Sequence, residues 1–574
     1  MYNYFLRRLP YIIFIWIALA IPVGISPTPD TFYFPIGLWV GLSEAFFPAV
    51  VLVALAGIPE YFLKKRGRGI STVFCLSLSF VTWIACFLEL AIGKFTECRF
   101  NVASLRLILQ TNANEATEFV NHAIDSGNIV PLFAISSVPL VLAILTIIVL
   151  RVAGPKFRRI IFLIAALGVL ASAGFFIYRQ QPLWKGTDDI RYERLLTPAQ
   201  FVMAWSALDD NSAHIRRLIE ANENVNVHRD GDGVPLLVII IGESANKAHS
   251  SLYGYALSTN PRLQNIIEQN NTEGAGRLVL FDDAVTGDFT TMEVVKHVLT
   301  AGHDSIPWSN KPLLPAVLRK AGYNVEYYDN QCLPTTCEFT DYHVLFFLND
   351  STTIRQSFDY RNDTLYAYDG EFIARYIPRA LSAPSPTACF FHLLGQHMGA
   401  QSRYPTGSAR FTIDDYAQRT DLSSNARNNM MHYDNATVYN DSVLAKIINS
   451  VRDRDAVVIY LSDHGEEVYD YRDFYGRSDG SLSKQRVKAL FEVPYWVYLT
   501  PDFVCRRPDI VANLEANRHS PVHTYRIADL VLDLAGVEGS MTDRRHSPAS
   551  PCYDSTHPRR IEHATCDYDS LMRK

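Results

Sequence analysis

The chain has 574 residues, enough for several domains at about 150 residues each. Hydrophobic residues make up 48% and charged ones only 20%, which is too apolar for an ordinary soluble multidomain enzyme. A net charge of −6 gives no basis for nucleic-acid binding.

The apolar excess lies almost wholly before residue 180. Five candidate spans are read there, at residues 9–25, 36–58, 70–93, 129–150 and 160–178, most of them near the ~20 residues that cross a bilayer. Basic residues fall in every second connection: Arg7 and Arg8, then Lys64, Lys65, Arg66 and Arg68, then Arg151, Lys156, Arg158 and Arg159. The positive-inside rule then puts the N-terminus in the cytoplasm, and an odd number of spans delivers everything after residue 179 to the far side. Glu44 and Glu89 fall inside predicted spans, where ionisable groups are costly, but neither is taken as a site residue.

Residues 181–232 read as a linker with amphipathic helices, among them TPAQFVMAWSAL at 197–208, which opens on Thr197-Pro198. From 233 apolar strands alternate with helical stretches such as 312–321 and 435–451. The strands are PLLVIII ending at Gly242-Glu243, RLVLFDDAV ending before Thr286, NVEYYDN ending near Asn330, TACFFHLL ending before Gly395, and AVVIYL ending in Ser462-Asp463-His464. Continuous apolar runs of this length suit strands buried on both faces of a mostly parallel sheet, hence an α/β domain over 233–574. In such sheets ligands gather beyond the carboxyl ends of the strands. Glu243, Asp463 and His464 stand there, two carboxylates and an imidazole suited to zinc or another divalent transition ion.

A further helix is expected from about residue 290, where Thr290 and Glu293 fit a capping box. Thr291 falls in its first turn, at the positive end of the helix dipole, where phosphate is favoured. Metal coordination there would turn its hydroxyl into a nucleophile. Six of the nine cysteines, Cys332, Cys337, Cys389, Cys505, Cys552 and Cys566, fall after residue 180, in a compartment that permits disulfides. Cys332 with Cys337 would close a small loop, and Cys505, Cys552 and Cys566 would tie down the C-terminal tail; no CxxC spacing supports a zinc-thiolate site.

The segments IIGESANKAHSSLYGYALSTNPRL (240–263), the Thr291 helix, HLLGQHMGAQSRYP (392–405), YDNATVYNDSVLAKII (433–448) and YLSDHGEEVYD (460–470) together resemble the phosphoethanolamine transferases of Gram-negative inner membranes, members of the alkaline phosphatase and sulfatase superfamily. The wording is nearest to the branch that modifies lipopolysaccharide core sugars or periplasmic glucans. The resemblance implies five spans before a periplasmic catalytic domain, and a zinc ion bound by Glu243, Thr291, Asp463 and His464. Thr291 would attack phosphatidylethanolamine and carry phosphoethanolamine to a lipopolysaccharide or glucan acceptor, and the protein would work as a monomer among membrane lipids. His397 would contact the phosphoryl group, while His392 is read as structural. Two departures stand out. Relatives usually carry a further histidine shortly after SDHGE; here Arg477 lies near that place, so one zinc is expected rather than two, with Arg477 as a phosphate ligand. Where some relatives have a phosphate-binding lysine, this chain has DNQCLPTTC, leaving Asn330 or Gln331 for that role. Two other readings share these features: a phosphoglycerol transferase of the lipoteichoic-acid synthase kind, and a non-catalytic membrane sensor or scaffold on the same fold.

Overall fold

The computed structural model describes residues 2–25, 34–96, 129–179, 211–333, 345–477 and 482–573, except 271 and 273, with isolated positions between 100 and 124 and at 205. The chain divides into two compact units, one N-terminal and one C-terminal.

Among the described residues, the N-terminal unit carries five helices long and apolar enough to cross a membrane. They are α1 (Tyr2–Ile25), α2 (Phe34–Ala56), α3 (Ile58–Thr96), α4 (Ile129–Val152) and α5 (Pro155–Arg179). Helix α3 is kinked at Lys64, whose φ is 51°. The Glu60 carboxylate lies 3.0 Å from Arg7, 2.7 Å from Arg8 and 3.4 Å from Arg68, so the start of α1 and the kinked start of α3 share one end of the bundle. The expected helix at 197–208 falls outside the described residues.

The C-terminal unit is built on a seven-stranded sheet. Its strands are β1 (Leu236–Gly242), β2 (Arg277–Phe281), β3 (Asn324–Asp329), β4 (Tyr360–Arg361), β5 (Thr387–His392), β6 (Ala456–Ser462) and β7 (Tyr495–Leu499), in the order β2-β7-β6-β1-β5-β3-β4. Strand β7 runs antiparallel to both of its neighbours, and the other pairings are parallel. Every residue of β1 and β6 is buried. Alternation splits β1 between two cores. Leu237, Ile239 and Ile241 belong to the core that also holds Val294, Val295 and Val298 of helix α6 (Thr291–Val298), while Leu236, Val238 and Ile240 belong to the one with Val443, Leu444, Ile447 and Ile448 of helix α7 (Ser424–Val451). With both faces sealed, chemistry is left to the strand ends.

Three expectations need correction. RLVLFDDAV is not one strand: β2 stops at Phe281, and Ala284–Val285 pairs instead with Val522–His523. The 181–232 stretch is not all connector, because helix Asn211–Glu223 buries Leu218 in the domain core and Val227–Arg229 pairs with Val537–Gly539. Nor are Cys505, Cys552 and Cys566 joined. The last two thiols are engaged locally, Cys552 with Ser550 Oγ at 3.0 Å and Cys566 with the Asp567 carbonyl at 3.7 Å. Cys332 is buried and unbridged, and Cys337 lies outside the described residues.

Candidate metal centre

Strand β1 leaves the sheet at Gly242 and β6 at Ser462, adjacent in the parallel ladder. Their next residues, Glu243 and Asp463-His464, are therefore neighbours although some 220 positions apart. The turn after β1 is tight. Ser244 has φ 55°, a left-handed conformation that costs a non-glycine residue about 1 kcal/mol or more, and its amide donates to Asp463 Oδ1 at 3.1 Å. Tyr433 from α7 fastens this turn by donating to the Ser244 carbonyl at 2.5 Å and accepting from the Asn246 amide at 2.7 Å. Gly395 passes over Glu243 so closely that a Cβ there would lie 2.6 Å from the Glu243 carbonyl oxygen.

Glu243, Asp463 and His464 are fully buried and bring one ligand atom each within 4.8 Å of one another. Thr291, the first residue of α6, donates its hydroxyl to Glu243 Oε2 at 3.1 Å and lies 3.4 Å from His464 Nε2. The four residues singled out in the sequence thus converge on one point. His464 Nδ1 lies 2.9 Å from the Gly465 carbonyl, which fixes the proton on Nδ1 and turns the Nε2 lone pair inward. Asp463 Oδ2 lies 3.1 Å from that nitrogen and accepts no hydrogen bond. Two lone-pair donors facing each other in a buried space fit a shared cation, and the donor set is that of zinc or a similar divalent ion.

Electrostatics agree. Burial, followed by the Arg477 guanidinium, lowers His464 to about 3, so the imidazole is neutral and ready to ligate. Burial and the charge of Glu243 hold Asp463 well above the usual carboxylate range, so a second negative charge is resisted until a cation arrives. Among the described residues this is the one group of three or more His, Cys, Asp or Glu placed to hold a metal.

The flanking residues divide. Gln331 donates to Glu243 Oε2 at 3.1 Å and to the Leu393 carbonyl at 2.7 Å, so it belongs to the centre. Asn330 does not join it: its amide donates to Asp369 at 2.9 Å and accepts from the Tyr366 amide at 2.8 Å. Burial lowers His397 to about 4, against the charge of Glu243, which raises it. Arg477 Nη1 lies 2.7 Å from His464 Nε2 and 3.3 Å from the Phe289 carbonyl. His392 pairs with Asp329 at 3.2 Å, away from the ligands. The capping box does not form: the Thr290 side chain makes no cap hydrogen bond, and Glu293 reaches Lys296 at 2.8 Å instead. Sequence reading missed Ser244 and Glu466, whose signal was no more than adjacency to the ligands.

This arrangement sets two carboxylates and an imidazole at the tips of parallel strands, beside a hydroxyl at a helix start, in an α/β domain. The chain belongs to the sulfatase family, whose model matches residues 235–537. Among curated proteins it is similar to phosphoethanolamine transferase EptC of Escherichia coli O18:K1:H7, 25% identical over 90% of this chain and 89% of the relative. It is also similar to the Kdo(2)-lipid A phosphoethanolamine 7''-transferase of E. coli K12, 21% identical over 85% of this chain and 86% of the relative. Of solved structures, the C-terminal periplasmic domain of E. coli EptC is 25% identical, with 60% of this chain and 96% of that one covered and a TM-score of 0.51. The same domain has been solved in complex with Zn, at 24% identity, 60% and 96% coverage and a TM-score of 0.50. The integral membrane phosphoethanolamine transferase EptA of Neisseria meningitidis shares the whole architecture, with 93% of this chain and 97% of that one covered, 15% identity and a TM-score of 0.55.

Proposed function

We propose that this protein transfers phosphoethanolamine from phosphatidylethanolamine to a lipopolysaccharide acceptor, core sugar or lipid A, or to a periplasmic glucan, through a covalent ester on Thr291. The observation that carries the reading is the placement of the Thr291 hydroxyl 3.1 Å from Glu243 and 3.4 Å from His464, beside an acceptor-rich pocket fit for a divalent cation. The names of the relatives, phosphoethanolamine transferases that include a Kdo(2)-lipid A enzyme, support the transferred group and a lipid A-type acceptor. The five apolar helices and the relatives' periplasmic domain support an inner-membrane protein with a membrane domain over 1–180 and a periplasmic catalytic domain that takes in helix Asn211–Glu223 and runs on through residue 573.

Glu243, Asp463, His464 and Thr291 would hold one zinc ion, which when bound lowers the pKa of the Thr291 hydroxyl and offsets phosphoryl charge. Thr291 Oγ1 gives up its proton along its hydrogen bond to Glu243 and attacks phosphorus. The new O–P bond forms as the bond to the glycerol oxygen breaks, and diacylglycerol leaves with a proton. An acceptor hydroxyl or phosphate then attacks the same phosphorus, and Thr291 leaves and regains its proton. Arg477 and His397 bind the phosphoryl oxygens, Arg477 by charge and paired donors, while Gln331, whose two N–H bonds go to Glu243 and the Leu393 carbonyl, steadies the Glu243 carboxylate. Asn330, occupied by Asp369 and Tyr366, plays no direct part.

The test is mass spectrometry of Thr291 after incubation with phosphatidylethanolamine vesicles and no acceptor. A phosphoethanolamine increment is expected; a glycerophosphate increment from phosphatidylglycerol alone would make the protein a phosphoglycerol transferase. No adduct from either lipid, with zinc loaded, would sink the covalent route.

A further inference from the structure

His464 Nε2 has one lone pair, because Nδ1 is tied to the Gly465 carbonyl at 2.9 Å. In this structure the lone pair accepts from Arg477 Nη1 at 2.7 Å. A metal held by His464 needs the same lone pair, and it would also meet a guanidinium that cannot lose its charge. Cation and guanidinium are therefore mutually exclusive at that nitrogen.

The geometry beside Arg477 supplies the place for it to go. Glu466 is fully buried, and neither of its carboxylate oxygens accepts a hydrogen bond. Buried carboxylates are rarely left so, and each such case calls for a reason. Its Oε2 already lies 3.5 Å from Arg477 Nε, at the end of the guanidinium opposite the one on His464. The backbone holds the two side chains together. Glu467–Val468 pairs antiparallel with Tyr475–Gly476, Gly476 opposite Glu467, so the residues flanking Glu466 and Arg477 are locked in register. Gly476 has φ 130°, a conformation reserved for glycine, and a Cβ there would lie 3.8 Å from Glu466 Oε1. A short rotation of the Arg477 side chain converts one loose contact into a paired, charge-neutral one.

We propose that Arg477 is a resident counter-cation of the metal centre, and that Glu466 is a positioning residue that takes up its guanidinium when a divalent cation binds His464. The idea rests on the metal reading above and adds to it a coupling between metal loading and the phosphate-binding arginine. With zinc absent, Arg477 caps the imidazole and keeps the ligand set closed to protons and stray cations. With zinc present, the same side chain is parked on Glu466 with its outer N–H groups free for phosphoryl oxygens, so substrate capture waits on metal.

The test is the zinc affinity of the full-length, detergent-solubilised protein, read by competition with a chromophoric chelator, for the wild type, Arg477→Gln, Glu466→Gln and the double variant. Arg477→Gln is expected to tighten zinc by about tenfold, and Glu466→Gln to weaken it by a similar factor, the range that partners of metal ligands command. In the Arg477→Gln background the Glu466→Gln change should have little further effect, because its role is exerted through the arginine. Glu466→Asp, which keeps the charge, should recover most of the affinity. The proposal is overturned if Arg477→Gln leaves zinc affinity unchanged or lower, if Glu466→Gln costs the same in both backgrounds, or if Glu466→Asp rescues nothing. Absence of zinc binding by the wild type is a different failure, that of the metal centre itself.

Discussion

Two clusters in the catalytic domain, each centred on a buried histidine, are built from the same residue types, one histidine and two carboxylates, yet their surroundings make them do different things. In one, His249 lies between Asp434 at 2.6 Å and Asp470 at 3.1 Å. The other oxygens of those carboxylates are occupied too: Asp434 by Tyr255 at 2.7 Å and Tyr416 at 2.5 Å, Asp470 by Asn246 at 3.2 Å. Burial would lower the imidazole, but Asp434 and then Asp470 raise it to about 10, so it is a permanent cation. In the other cluster, His464 is held at about 3, and Asp463 Oδ2 has no hydrogen bond. The difference lies in the donors. Where tyrosines and an asparagine complete the carboxylates, the histidine can supply the positive charge and the cluster is a clasp between loop and helix. Where Asp463 Oδ2 has no such donor and the histidine is neutral, the nearby positive charge comes from Arg477, and the inward-facing acceptors suit a cation.

The contrast can be broken most severely at the nucleophile. Thr291→Ala should abolish transfer, by at least ~10³-fold, without loss of the fold, as steady-state turnover and circular dichroism would record. A mutant retaining a tenth of wild-type rate would remove Thr291 from the chemistry. Next in size, His464→Ala should lower zinc affinity by more than ~100-fold, beyond the cost of losing an outer partner, and erase the rise in melting temperature that added zinc gives the wild type. His249→Ala should do the reverse, leaving zinc affinity nearly unchanged while costing about 3–5 kcal/mol of stability in denaturant melts, because Asp434 is left as an unpaired buried charge.

The clasp also has a pH signature. The folded pKa of His249, about 10, lies above its ordinary 6.5, so its contribution to stability is complete below about 6.5 and fades as pH rises through about 10. Melting temperature should therefore decline toward alkaline pH in the wild type and less steeply in His249→Gln; parallel declines would show that the imidazolium is not what titrates. The smallest effect is expected at Gln331→Ala, about 1 kcal/mol on transfer rate through one lost hydrogen bond to Glu243, measurable as a severalfold drop in kcat/KM.

Much of this was legible before any coordinates. Membrane helices announce themselves by length and composition, and buried parallel strands by unbroken apolar runs, so the residues just past Ile241 and Leu461 could be placed at the strand ends of one sheet, though not as neighbours. What the sequence could not carry was the phase of the chain as it leaves a strand. Asn330 and Gln331 are adjacent, yet one turns to Asp369 and the other to Glu243. The capping box failed for a similar reason, since Lys296 and Asp288 compete locally for the same side chains. The clasp was invisible because its partners lie 185 and 221 positions from His249. Strand β7 was passed over as a five-residue run whose antiparallel insertion between β2 and β6 depends on the whole sheet.

Gly395 sets a limit on how this protein can vary. Its φ of 51° and the 2.6 Å gap to the Glu243 carbonyl leave no room for any side chain, even though the residue binds nothing itself. In a saturation library selected for function, that codon should tolerate almost no replacement, and an alanine there should displace the Glu243 carboxylate from behind, lowering activity with every site residue still in its sequence.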